Sequence, residues 1–324
     1  MRIRSLLFSK TGLVFLSTFI TLILAAGGYE LYARAEYSAW RDDFEKNWWN
    51  NGVSVTSKVP GMLWEYRPYT QSNGMAFNRW GFRDRDYPDY SKPKGYYRIA
   101  FAGDSVTVAL GISDVNLGFV RRFEDGINAT HPPRRVQAMN FGIGGFNTPQ
   151  VAAMVRAKVL PFHPDKVVYV MCMNDFDFTD ASAQKLLYFK PPRSFLLDRI
   201  EKSYVKFTKQ EYHRYNFEKH KDEVFAAVRD MKEQTEAAGA KLELVMIPIF
   251  QQGAPDYQSY PLYRMHEEIH KRLDELGVRY TDLLDRFKTS NEPPAHWSID
   301  IWHLSDAGHK AVADALTAAI RIEL

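Results

Sequence analysis

From residue 96 onward, short apolar runs alternate with longer segments in which apolar positions recur at helical spacing. The runs have the length of β-strands, and two of them are apolar at nearly every position, as in strands buried on both faces. The predicted strands are 97–102, 136–139, 166–171, 242–247 and 278–280, and the predicted helices are 117–127, 148–159, 222–238, 261–276 and 305–322. This alternation predicts an α/β fold with a parallel sheet and helices on both faces.

The N-terminal pattern is different, because no charged residue lies between Lys10 and Glu30 and no polar face interrupts the apolar run. About 20 apolar residues in a helix span the hydrocarbon core, so residues 11–32 are predicted to be a transmembrane signal anchor. Basic residues precede it, which predicts a cytoplasmic tip at 1–10 and a single-pass protein of the inner (cytoplasmic) membrane, its folded part periplasmic or extracellular. A signal peptide cleaved near the small residues 25–28 stays open as the alternative.

Two segments follow neither pattern. Residues 33–95 are rich in aromatic residues and turn signals, and are predicted to form a membrane-proximal stalk and an N-terminal extension. Residues 176–221 interrupt the main domain, 96–324, and their aromatic content indicates a partly helical insertion. A lid over the site, a face that touches the membrane, and packing against 33–95 are all open interpretations of this insertion.

Composition narrows the classes of function. The formal net charge is only +3, and the basic residues are scattered without a zinc-finger spacing, so nucleic acid is not an expected partner. Cys172 is the only cysteine, which rules out an internal disulfide.

Polar and glycine-rich clusters follow three predicted strands and precede the last helix. These clusters are Gly103–Val106, Asn140–Gly145, Asn174–Asp175 and Asp300–His303. Ligands of an open parallel sheet bind at the carboxyl ends of its strands. The four clusters are therefore predicted to meet at one rim.

The residue types at this rim suit acyl transfer. Ser105 can act as a nucleophile if His303 takes its proton, and Asp300, three residues earlier, can orient the histidine ring. Negative charge that develops on the carbonyl oxygen needs hydrogen-bond donors. The predicted donors are the backbone N–H groups of Ser105 and Gly145 and the side-chain amide of Asn174.

Each cluster alone has an ordinary explanation, since Gly-Asp-Ser is common in turns, Asp-x-x-His caps helices and Asn-Asp occurs in loops. All four clusters would occur by chance together, in this order, at strand ends and at the start of the last helix, much less often than any one of them. His296 and His309 are interpreted as ordinary surface or helix residues. The glycines of 142–145 lack the lysine and spacing of a nucleotide-binding loop, and Cys172 is interpreted as a buried apolar residue.

In these four segments the chain resembles the SGNH hydrolases, also called the GDSL esterase/lipase superfamily, over about residues 96–324. The resemblance implies a flavodoxin-like three-layer α/β/α sandwich, the site residues named above, and neither a cofactor nor a metal. Two positions depart from the family pattern: Val106 stands where leucine is frequent, and Cys172 stands where glycine is usual. A side chain at position 172 can shift Asn174 or narrow the pocket, which would weaken the oxyanion role of Asn174.

The N-terminal half is similar to membrane-anchored bacterial members, which carry an Asn-x-x-Gly-Phe-Arg element like Asn78–Arg83. The predicted function is a serine ester hydrolase of acyl, in particular acetyl, esters of an envelope carbohydrate or lipid. The alternatives are an O-acyltransferase of the same fold and a non-catalytic subunit of a membrane protein complex. The expected partners are the acylated substrate, the membrane through the N-terminal helix, and a membrane protein.

Overall fold

The computed structural model describes residues 9–47, 52–62, 64–72, 74–176, 192–207 and 212–323. Its described helices are α1 Lys10–Asn47, α2 Ser105–Val108, α3 Phe119–Ala129, α4 Thr148–Met154, α5 Phe195–Phe207, α6 Tyr212–Ala237, α7 Tyr263–Glu275, α8 Leu284–Lys288, α9 Pro294–Trp297 and α10 Asp306–Ala319. The described strands are β1 Ser54–Thr56, β2 Trp64–Tyr66, β3 Gln71–Ser72, β4 Met75–Ala76, β5 Tyr96–Gly103, β6 Arg135–Gly142, β7 Lys166–Cys172, β8 Lys241–Ile247 and β9 Arg279–Asp282.

The chain divides into two compact units. The smaller unit consists of Met1–Trp48 and Lys190–Glu211, and the larger consists of Trp49–Phe189 and Tyr212–Leu324. The predicted extension 33–95 is thus shared between them, its first part belonging to helix α1 and the rest to the larger unit.

The larger unit is built on a parallel sheet with the strand order β6-β5-β7-β8-β9. Every residue of the central strand β7 is buried, which explains its nearly continuous apolar sequence. Helix α3 packs against α10, and α4 packs against α6. The predicted α/β fold with a parallel sheet and flanking helices is confirmed, and the strand order is that of the flavodoxin-like sheets.

After β5 the chain forms β6, which pairs with one edge of β5, and then crosses back to form β7, which pairs with the other edge. The carboxyl ends of β5 and β7 therefore form the switch point where ligands bind in sheets of this kind. The short antiparallel pairs β1–β2 and β3–β4 precede this sheet in the same unit.

In the smaller unit, α1 has 38 residues and continues well past the predicted end at 32. At 1.5 Å per residue it is about 57 Å long, roughly twice the hydrocarbon thickness of a bilayer. Its part Lys10–Ala39 is long and apolar enough to cross a membrane, with a mean hydropathy of 1.9 in its most apolar window.

The two described helices in the predicted insertion 176–221 belong to different units. Helix α5 belongs to the smaller unit, where the Glu30 carboxylate accepts hydrogen bonds from the Ser194 hydroxyl and the Leu196 N–H at 2.9 and 3.0 Å. Helix α6 belongs to the larger unit and begins at Tyr212, ten residues before the predicted start. Residues 177–191 and 208–211 of the insertion lie outside the described residues, and its lid, membrane and packing interpretations stay predictions.

Candidate active site

Ser105 lies at the turn from β5 into α2. The Asp104 side chain caps this short helix by accepting a hydrogen bond from the Val106 N–H at 2.9 Å. The helix packs directly on the end of β6, because a Cβ at Gly142 would lie 2.3 Å from the Val108 nitrogen. Ser105 is half-buried as the first residue of α2. A tight strand–helix turn thus holds its hydroxyl at the rim of the sheet.

The structure brings the three predicted catalytic residues together. The Oγ of Ser105 lies 2.9 Å from Nε2 of His303, although the two residues are 198 positions apart. On the other side of the ring, Nδ1 lies 2.7 Å from Oδ2 of Asp300. This is the order of contacts that a nucleophile, a general base and an orienting carboxylate require.

Backbone hydrogen bonds fix the Asp300–His303 turn. Oδ1 of Asp300 accepts the N–H groups of Trp302 and His303, both at 2.7 Å. Burial would raise the pKa of Asp300, but these bonds and the one from the His303 ring outweigh it and hold the pKa below its usual value. Because an ionised carboxylate can only accept, Nδ1 of His303 donates to Asp300, and in the neutral ring this leaves the lone pair of Nε2 for Ser105.

Asn174 follows β7 and reaches the same turn. Its Nδ2 donates to Oδ2 of Asp104 at 3.3 Å, which orients the amide nitrogen toward the Ser105 turn. Cys172 points its sulfur at the other oxygen of Asp104, 3.7 Å away. The side chain that replaces the family's usual glycine therefore packs on Asp104 and leaves Asn174 beside the nucleophile turn.

The glycine loop after β6 also lies close to Ser105. A Cβ placed on Gly144 would be 3.8 Å from the Ser105 Cβ, and the next residue, Gly145, has a φ of +79°. Asn140 holds the start of this loop, because its amide donates to the Thr107 carbonyl at 2.6 Å and accepts the Gly142 N–H at 2.9 Å. Asn174 and the glycine loop thus lie close to the Ser105 turn, and the oxyanion role of the predicted residues stays a prediction.

Other candidate residues lie outside this arrangement. Burial, followed by the charges of Asp104 and Asp175, raises the pKa of Cys172 well above the usual value, so its thiol is not a reactive thiolate. Buried His309 accepts the Phe119 N–H at 3.2 Å, and burial lowers its pKa to about 3. His296 lies near Glu292 on the surface.

One group within the described residues has the donor atoms of a metal site. The side chains of His266, His270 and Asp282 place their ligand atoms within 4.8 Å of one another. Both histidines contact the same Asp282 oxygen directly, at 2.7 and 2.8 Å. The group is therefore a complete hydrogen-bonded cluster, and its residues are none of those around Ser105.

Two residues of the N-terminal extension also reach the site, and their functions were not predicted. The Tyr66 hydroxyl accepts the Gly144 N–H at 3.1 Å. The guanidinium of buried Arg83 donates to the carbonyls of Val108, the last residue of α2, at 3.2 Å and of Ser113 at 3.0 Å. The Asn78–Arg83 element was the only sequence signal for these contacts, and its spacing alone does not reveal them.

The sequence profile of the GDSL-like lipase/acylhydrolase family matches residues 101–311, which contain Ser105, Asn174, Asp300 and His303. The chain belongs to this family. The predicted SGNH (GDSL) relationship is therefore confirmed, and the protein is an ester hydrolase of the SGNH type. A search of curated proteins finds no match to the sequence.

Solved structures of esterases and lipases resemble the chain at low identity. The acetylxylan esterase Axe2 of Geobacillus stearothermophilus is 20% identical, with a TM-score of 0.48 over 70% of this chain and 95% of that one. The lipase Lip_vut3 from a goat rumen metagenome is 18% identical, with a TM-score of 0.49 over 69% of this chain and 97% of that one.

Proposed function

We propose that Ser105, His303 and Asp300 form the catalytic triad of this ester hydrolase. One observation carries the proposal: Ser105 Oγ and Asp300 Oδ2 lie within hydrogen-bond distance of opposite nitrogens of the His303 ring, at 2.9 and 2.7 Å. Hydrogen-bond reach between nucleophile and base, and between base and orienting group, is the geometric requirement for an activated serine.

The reaction follows from this geometry. Ser105 Oγ attacks the ester carbonyl carbon while its proton passes to His303 Nε2, and the carbonyl electrons move onto the oxygen. When the tetrahedral intermediate collapses, the C–O bond to the alcohol breaks and His303 returns the proton to the departing alkoxide. Water then repeats these steps on the acyl-enzyme, which releases the acid and restores Ser105.

Ser105 N–H, Gly145 N–H and the Asn174 amide are the proposed donors to the oxyanion. The hydrogen bond between Asn174 and Asp104 supports this role, since it uses one N–H of the amide. The amide's second N–H has no partner among the described residues and can point toward substrate. One such donor typically contributes about 3 kcal/mol to the transition state.

The proposed substrates are acyl, in particular acetyl, esters of an envelope carbohydrate or lipid, and the proposed location is the outer side of the inner membrane. Helix α1 supports the location by its length and apolar surface. Helix α5 contacts α1 near Glu30 and Arg34, and exposes the apolar side chains Leu197, Ile200 and Tyr204 at helical spacing. An exposed apolar stripe of this kind is typical of helices that lie at a membrane surface.

A fluorophosphonate probe on the detergent-solubilised chain tests the triad. We expect covalent labelling of wild-type protein at Ser105 and none of Ser105→Ala. Ser203→Ala, which alters an exposed serine outside the triad, serves as the control and should keep its labelling. A folded wild-type protein that resists the probe, while a known serine esterase reacts, would overturn the proposal in favour of a non-catalytic subunit.

A second experiment separates hydrolysis from acyl transfer. Acetate release from an acetylated sugar is measured with and without an unacetylated acceptor sugar. Release that is unchanged by the acceptor supports the hydrolase, and acetylation of the acceptor at the expense of free acetate supports the O-acyltransferase.

Retention of the intact chain in membranes after a high-salt wash supports the anchor, whereas a mature N-terminus near Gly28 contradicts it.

A further inference from the structure

The Asn78–Arg83 element builds a tight turn against strand β2. The Asn78 side-chain oxygen accepts the N–H groups of Trp80 and Phe82 at 2.9 and 3.0 Å. Gly81, with a φ of +76°, passes so close to β2 that a Cβ there would lie 2.2 Å from the Tyr66 carbonyl oxygen. Only glycine fits this approach without displacing Tyr66. The element therefore fixes the backbone of Tyr66.

The Tyr66 side chain extends from this fixed backbone to the active site. Its ring stacks on Phe77 with centroids 4.2 Å apart, and its hydroxyl accepts the Gly144 N–H at 3.1 Å. The position of a Cβ on Gly144 lies 2.9 Å from the Tyr66 hydroxyl and 3.8 Å from the Ser105 Cβ. The phenol oxygen and the Ser105 Cβ thus both lie within 4 Å of this one point, which places the hydroxyl beside the nucleophile turn.

The surroundings keep this phenol a hydrogen-bond donor. Burial raises the pKa of Tyr66; the Gly144 N–H opposes this change, and the negative charge of Asp104 adds to it. The oxygen accepts from Gly144, so the O–H proton needs a separate acceptor. Across the described ranges, no residue provides one.

We propose that the Tyr66 hydroxyl is a catalytic residue that donates a hydrogen bond to the carbonyl oxygen of the ester as that oxygen becomes an oxyanion. The inference rests on the proposed function, since it places the ester carbon at Ser105 Oγ. The N-terminal extension then completes the active site, and the Asn78–Arg83 element positions the donor. No reactive group is transferred to or from Tyr66, because it donates only a hydrogen bond.

A donor that acts on the oxyanion affects kcat more than KM, because the charge develops only in the transition state. Tyr66→Phe keeps the stacked ring and removes the hydroxyl. We expect it to lower kcat for a soluble acetate ester by about 100-fold with KM changed by less than about threefold, the scale found for single oxyanion donors. Tyr69→Phe, at an exposed tyrosine of the same extension, is the matched control and should match wild type.

A pH profile of kcat distinguishes two roles of the Tyr66 hydroxyl: donating a hydrogen bond to substrate, or only accepting one from the Gly144 N–H. Replacing Tyr66 with a polyfluorinated tyrosine lowers the pKa of the phenol. We expect kcat to gain a basic limb that wild type lacks over the same pH range, because a phenolate cannot donate to substrate. A purely structural acceptor would show no such limb, since a phenolate still accepts from Gly144.

Three outcomes overturn the inference: a kcat for Tyr66→Phe within twofold of wild type, a loss confined to KM, or a fluorinated variant without the basic limb. Thermal unfolding of each variant establishes that it is folded. Failure of the proposed function looks different, because wild-type protein would then show neither fluorophosphonate labelling nor ester hydrolysis.

Discussion

Two histidine–aspartate pairs among the described residues of the larger unit share nearly the same local geometry. In the first, Nδ1 of His303 lies 2.7 Å from Asp300 and Nε2 faces the Ser105 hydroxyl at 2.9 Å. In the second, Nδ1 of His266 lies 2.7 Å from Asp282 and Nε2 faces the Tyr260 hydroxyl at 3.2 Å. Carboxylate, imidazole and hydroxyl follow one another in the same order in both.

The surroundings of the two pairs differ. Asp282 binds a second histidine, His270, at 2.8 Å, and its side chain is only 7% exposed, compared with 47% for Asp300. The Tyr260 hydroxyl accepts the buried Ile249 N–H, whereas Ser105 lies at the rim of the sheet beside the glycine loop. A histidine–aspartate pair becomes a proposed general base only where its third member is a nucleophile that substrate can reach. The His266–Asp282 pair is structural by this criterion.

The largest expected effect distinguishes the two histidines by activity. His303→Ala should lower kcat by about 10⁵- to 10⁶-fold, because removal of the general base disables the triad as a unit. His266→Gln should leave the kcat of the folded protein within about threefold of wild type. Ester hydrolysis, normalised to the folded fraction, measures both, and comparable losses in the two variants would contradict the distinction.

The aspartates Asp300 and Asp282 should differ as the histidines do, with only Asp300 needed for activity. Asp300→Asn should lower kcat by about 10⁴-fold, since an amide in place of the carboxylate favours the wrong tautomer of the histidine. Its effect on thermal unfolding should be small, because half of the side chain is exposed. The rate of fluorophosphonate labelling provides an independent measurement, and an unchanged rate would exclude Asp300 as the orienting group.

Asp282→Asn should affect stability instead. Burial would raise the pKa of Asp282, but the hydrogen bonds from His266 and His270 hold the pKa far below its usual value. Removing this buried charge should reduce the free energy of unfolding by about 3 kcal/mol, or about 6–12 °C in Tm. Asp300→Asn is the control in the same thermal unfolding experiment, and an equal loss in both variants would refute the assignment.

The smallest expected effect concerns pH. The hydrogen bond to Asp282 raises the pKa of His270, more than burial lowers it. A raised folded-state pKa contributes stability below the unfolded value of about 6.5, and this contribution is lost as the pH rises through the folded-state pKa. His270→Gln should therefore lower Tm more at pH 5.5 than at pH 9. A Tm difference between variant and wild type that is the same at both values would exclude this coupling.

Much of this architecture could be predicted from local patterns. Each predicted strand of the sheet overlaps an observed one. The apolar runs of the buried strands are too short for helices and are bounded by turn residues, which indicates strands. Boundaries were less accurate: β6 continues to Gly142, past the predicted end at 139, and α1 continues to Asn47. In both cases the continuation mixes polar and apolar residues, so the apolar run ends before the element does.

The sequence by itself determined the fold class, the family, and a set of candidate side chains at strand ends. These follow from periodicity and from motif spacing, which are local properties of the chain. Only the tertiary structure decided that Ser105, His303 and Asp300 meet, how Asn174 is oriented by Asp104, and that Tyr66 reaches the glycine loop beside Ser105 from the N-terminal extension. The long-range contacts among these join residues 70 to 198 positions apart. Such contacts depend on how strands and loops pack against one another, and no short-range pattern encodes that packing.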